Sequence, residues 1–198
     1  MAIANAHYNF LYVNVGCQGK ISDGGVFKYT TFHRKLISND LGIPEEEPLV
    51  GRSQPVPYVL LADDAFALTD NIMKPYATDL QRGSPERNYN YRHSRGRVVV
   101  ENAFGVMSAV FRVFRKPIEV KVESTVVDIV LACVYLHNFF RSQPDVCRHY
   151  APPGTFDREN LVTGEVVPGS WRSVTSGDTG MRPLPSFPRN MTQRAKAV

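Results

Sequence analysis

Apolar residues recur at helical spacing through Arg92–Arg115, RHSRGRVVVENAFGVMSAVFRVFR, where Val99, Ala103, Val106, Val110 and Val113 lie four, three, four and three residues apart. That is one stripe on an α-helix. Upstream, Ser84-Pro85-Glu86 supplies a cap and a first-turn proline. The helix can therefore open near Ser84, with Gly96 a weak point inside it and Pro117 beyond its end. A second helical pattern opens at Thr125, with Asp128 in the capping-box position, and runs to about Arg141. Val126, Ile129, Val130, Cys133, Leu136 and Phe140 share its inward face, and His137 reads as a satisfied buried histidine.

Period-two alternation marks Phe10–Val15, with Phe10 and Tyr12 on one face and Leu11 and Val13 on the other. Asn5–Tyr8 reads as a turn into that strand. Tyr58–Ala62 is a continuous apolar run between Pro57 and Asp63-Asp64, the signature of a strand buried on both faces. Asp63 then stands at the carboxyl end of a central strand, where open α/β sheets bind ligands; the competing reading is a cap on the turn that follows. Asp64 is the weaker candidate, because adjacent side chains point to opposite faces. Ser22 or Asp23 caps a short helix, and Gly24-Gly25 lets its backbone approach something closely. A short extended piece is expected at Glu119–Val122. From Ser142 the period is lost: the last 57 residues hold seven of fourteen prolines. They read as an irregular arm over residues 142–198, docked on a domain of residues 1–141 through Trp171, the only tryptophan. A helix is expected to begin near Arg189.

Charge sharpens this picture at one place. The chain carries a net +4, but residues 82–121 hold nine Lys or Arg against three acids. A basic stretch of this kind is the footprint of a phosphate-rich partner or a solvated helix face. Glu101 is the lone carboxylate amid Arg92, Arg95, Arg97, Arg112 and Arg115. It pairs with Arg97 at i,i+4, or it is a metal ligand facing a polyanion. Three cysteines with no CxxC spacing (Cys17, Cys133, Cys147) oppose a disulfide framework or a structural zinc site. The longest apolar run, within Val126–Phe140, is interrupted by Asp128, His137 and Asn138 and is too short and polar for a bilayer span.

Several segments together resemble the Harbinger-type DDE nucleases, which are transposases and the host proteins derived from them. These segments are YVNVGCQGKISDGGVF (12–27), ADDAF (62–66), MKPY (73–76), RHSRGRVVVENAFG (92–105), LHNFFR (136–141) and PPGTFDRENLVTGEVVPGSWR (152–172). The resemblance implies an α/β, ribonuclease H-like mixed sheet with helices on both faces, and a triad of acids holding a divalent metal, Mg2+ or Mn2+. It puts the middle acid at Asp63 and the last at Glu101, with Asp23 in support. Arg92, Arg95 and Arg97 become phosphate contacts on DNA. A nuclear location and a Myb-like DNA-binding partner follow from the same resemblance, and no membrane is implied.

The family's first acid, in an Asp-Gly-x-His-like motif on the first strand, has no counterpart in this sequence, and Asn5 and Asn14 are not acids. The sequence therefore reads as starting after that strand. Phosphodiester cleavage at such sites uses two metal ions about 3.5–4 Å apart, bridged by an acid from the first strand. Two carboxylates hold one ion weakly, so the expectation is an endonuclease fold crippled in catalysis. The alternatives are a domesticated DNA- or protein-binding module and a decayed gene. An unpaired strand edge beside Tyr58–Ala62 predicts self-association.

Overall fold

The computed structural model describes residues 1–17, 22–77, 80–160 and 163–175. Strands β1 (Ala2–Ala4) and β2 (Phe10–Val13) form an antiparallel hairpin with a register shift between Ile3 and Ala4. The Asn5 side chain accepts hydrogen bonds from the His7 and Asn9 amides at 3.0 Å each, closing the turn. Helix α1 (Asp23–Lys28) is capped by Ser22, whose hydroxyl accepts from the Gly25 amide, and α2 (Thr31–Ile37) by Thr30. Gly24 packs against the backbone, since a Cβ there would lie 2.1 Å from the Ala65 carbonyl oxygen. This is the close approach anticipated for the glycine pair.

Two-residue strands follow: β3 (Glu47–Pro48) antiparallel to β4 (Pro55–Val56), and β5 (Leu60–Leu61) parallel to β6 (Ile72–Met73). Helix α3 (Pro85–Val110) opens with Ser84 accepting from the Arg87 amide and Pro85 in the first turn. It runs through Gly96 unbroken and gives way to a 3-10 turn at Arg112–Arg115. Gly96 is a contact rather than a weak point, because a Cβ there would meet Leu61 Cδ1 at 2.3 Å.

Helix α4 (Glu123–Ser142) starts two residues before the anticipated Thr125 cap, with no side-chain capping bond. Its inward face turns on His137, which is fully buried, while Leu136 is exposed. The His137 Nε2–H donates to the Tyr8 carbonyl at 2.7 Å, which leaves Nδ1 to accept the Tyr150 hydroxyl at 2.7 Å. Burial is the first cause that lowers the His137 pKa, and Arg141 adds to it; the bond to Tyr8 opposes both. Asn138 acts as a strand partner, accepting from the Phe10 amide at 2.9 Å and donating to the Phe10 carbonyl at 2.8 Å. By length and composition α4 is apolar enough to cross a membrane. Here it packs against β2, α3 and α5.

The arm carries more structure than its composition implies: α5 (Pro144–Tyr150), the hairpin β7 (Arg158–Glu159) with β8 (Val166–Val167), and α6 (Trp171–Thr175). Tyr150 is buried against His137, so the chain packs continuously across Ser142. The helix expected near Arg189 lies outside the described residues. One core joins Phe10, Ala103, Met107, Cys133 and Val134, and a second joins Phe27, Leu36 and Ile72.

The expected single mixed sheet is present, among the described residues, as four separate two-stranded pieces. Tyr58–Ala62 is correspondingly not a strand buried on both faces: Tyr58 is 41% exposed and Leu61 44%. Among the described residues only β6 pairs with β5, so one of its two backbone edges has no strand neighbour there.

Candidate active site

Hairpin β1–β2 and strand β5 both lie on α3, and a cavity of about 510 Å3 opens between them. Every residue from Met1 to Ala6 lines it, as does every residue from Val59 to Asp63. Alternate residues line a sheet face, whereas consecutive ones line an edge. The cavity is therefore bounded by two strand edges that are open among the described residues, with Val99, Val100 and Phe104 of α3 forming its wall.

Asp23, Asp63 and Arg97 gather in this cavity. Asp63 follows β5, and its Oδ1 accepts from the Ala65 amide at 2.9 Å, so the turn-capping reading is correct for one oxygen. Its Oδ2 lies 3.8 Å from Arg97 Nη2. Both side chains are one-third exposed, and a pair of that length in solvent contributes little. Asp64 points elsewhere, to Lys74 at 3.0 Å, as side-chain alternation anticipates. Asp23 enters because Gly24 lets α1 press on the turn after Asp63.

Glu101 lies one helical turn beyond Arg97, on the same ridge of α3, and is exposed. The i,i+4 pair between them is not formed, because Arg97 reaches Asp63 instead. The positive neighbour of Glu101 is Arg172. That guanidinium is held more firmly charged first by its hydrogen bond to Asp157, with the fields of Asp157 and Glu101 adding and burial opposing. Of the other arginines singled out in the sequence, Arg95 Nε donates to Glu159 at 2.7 Å, and Arg92 is exposed with no ion pair among the described residues.

A clasp built on Trp171, the residue expected to dock the arm, closes over α3 beside Glu101. Asn102 Oδ1 accepts from Trp171 Nε1 at 2.7 Å and from the Asp157 amide at 3.1 Å, and its Nδ2 donates to the Val98 carbonyl. Gly105 makes room for the indole, since a Cβ there would lie 2.3 Å from the ring. Arg172 covers the other part of Trp171, 4.4 Å from the ring centroid, and forms a two-point contact with Asp157. That contact is the first cause of a lowered Asp157 pKa; the Gly169 amide and Arg95 add to it, and burial opposes. Of its members only Trp171 was signalled in the sequence; Asn102, Gly105, Asp157 and Arg172 were not singled out.

The donor set does not fit a closed metal site. Among the described residues no three acids, histidines or cysteines converge, and Asp63 faces a guanidinium. What the site offers chemically is one carboxylate pair at the cavity, a further acid one helical turn away, and one cation.

The family model for DDE superfamily endonucleases matches residues 1–138, and the chain belongs to that family. No curated protein and no solved structure matches it. Membership implies DNA as the substrate class and divalent metal as the family's general cofactor, and it agrees with a mixed α/β domain of helices and small sheets.

Proposed function

We propose that the chain is a Harbinger-type member of this family, a metal-dependent DNA endonuclease domain of transposase origin that is crippled in catalysis. In this reading the fold is ribonuclease H-like, with β1–β2 and β5–β6 as two halves of one ancestral sheet. Asp63 and Glu101 are the remaining acids of a triad and Asp23 supports them, with Mg2+ or Mn2+ as the metal. The chain's own contribution is to bring Asp63 beside α3, one turn from Glu101. The observation that carries the reading is the placement of Asp63 at the end of β5, with its carboxylate touching Arg97 on the ridge that bears Glu101. A nuclear location and a Myb-like partner belong to the same proposal.

A second reading, a non-catalytic DNA-binding module, is favoured by the Asp63–Arg97 contact, which puts a cation where a metal would sit. Incubating supercoiled plasmid with the chain and Mg2+ or Mn2+ tests both. The crippled enzyme gives no nicking above that of Asp63→Ala. Metal-dependent nicking that Asp63→Ala and Glu101→Ala both abolish would show an active nuclease. DNA binding indifferent to magnesium and to Asp63→Ala supports the module.

A further inference from the structure

Two of the three arginines expected to meet DNA on α3 are committed to acids, Arg95 to Glu159 and Arg97 to Asp63. Uncommitted arginines gather elsewhere. A hollow of about 350 Å3 opens between α5 and the loop before β7. Arg141, Arg148 and Arg158 line it, and no acid does. None of the three forms an ion pair among the described residues.

The hollow is preorganised on one side. Arg141 donates to the His7 carbonyl at 2.9 Å and to Cys147 Sγ at 3.2 Å. Its guanidinium lies 5.0 Å from the Phe156 ring centroid and 5.6 Å from that of Tyr8, two rings stacked on each other at 3.8 Å. Its Nε is buried with no hydrogen-bond partner. Arg148 and Arg158 are exposed and free to close from the other sides. Arg158 sits between Asp157 and Glu159, both of which turn to other arginines. Strand alternation sends Arg158 the opposite way, into the hollow. Three like charges around one space repel one another, and an anion there removes that cost. Planar guanidinium groups suit the paired oxygens of a phosphate.

We propose that this hollow binds a phosphodiester of a nucleic-acid backbone, a contact point on the arm separate from the acids. The proposal rests on the reading of the chain as a DNA-binding domain. The test is anisotropy of a fluorescein-labelled DNA duplex titrated with the full chain over a range of salt. In the double variant Arg148→Ala/Arg158→Ala, affinity falls about tenfold or more, and the slope of log K against log salt shrinks by about one to two. If the parent binds DNA and the double variant keeps the parental affinity and slope, the hollow is not a phosphate site, while the DNA reading stands. If the parent does not bind DNA, but inorganic phosphate raises its melting temperature and not that of the double variant, the nucleic-acid assignment is overturned together with the DNA reading. Tighter binding of a polyglutamate peptide than of the duplex would overturn it in favour of an acidic protein.

Discussion

Two adjacent stretches of α3 meet opposite surroundings. Residues 102–108 are buried except at Phe104, which reaches the cavity: Ala103, Val106 and Met107 are 1% exposed or less, and Asn102 and Gly105 take the arm's indole. Gly96, Arg97, Val99 and Val100 face a cavity between two strand edges that are unpaired among the described residues, and Glu101 follows one turn after Arg97. The first stretch gets its order from burial and saturated hydrogen bonds. The second holds charged groups that satisfy one another only partly. The helix thus joins a rigid clasp to an open site, and the two can be perturbed separately.

Four measurements set these regions apart. The largest effect belongs to Asn102→Ala. It strands the Trp171 Nε1–H and the Asp157 amide, each worth about 1–3 kcal/mol when buried without a partner, and denaturant unfolding should show a loss in that range or its double. Gly105→Ala drives a methyl into the indole, and a loss of about 1–3 kcal/mol is expected by the same measurement. Unchanged stability would mean that the clasp does not hold the arm.

The third is a pH effect. Burial holds the His137 pKa below its usual value, so the unfolded chain takes up the proton first as pH falls below about 6.5. The stability from neutral His137 is therefore present above that pH and lost as pH drops toward the folded-state pKa. Melting temperature measured across this window should fall with acid in the parent and fall less in His137→Gln. The smallest effect on stability is at the open site. Val59→Lys, on an exposed residue of the β5 edge segment, should change folding stability by no more than about 0.5 kcal/mol while reducing self-association. Sedimentation at micromolar concentration reads this directly, and a parent chain that stays monomeric refutes an adhesive edge.

The helices that support the clasp were legible in the sequence, because their interactions are local or repeat at a fixed period. Ser84-Pro85 marked the start of α3, and lone Trp171 marked where the arm docks; the apolar stripe marked the buried side at Ala103 and Val106 and missed it at Val110 and Val113, which are exposed. Asp63 and Glu101 stood out because acids are unusual in those settings. The unread features depend on residues far apart in the chain. Nothing near Arg97 signals that it passes over Glu101 for Asp63. Nothing near Arg95 signals Glu159. Tyr58–Ala62 has the composition of a strand buried on both faces, but burial depends on neighbours that the run itself does not specify. The arm was read as irregular because its strands are two residues long, too short for any period to register.

Because the molecule has one tryptophan and that residue is pinned between Gly105 and Arg172, the protein carries its own optical gauge. Indole emission reports whether the arm is seated on α3. A shift of that emission to longer wavelength, with no change in helical circular dichroism, would time the release of the arm independently of unfolding of the body.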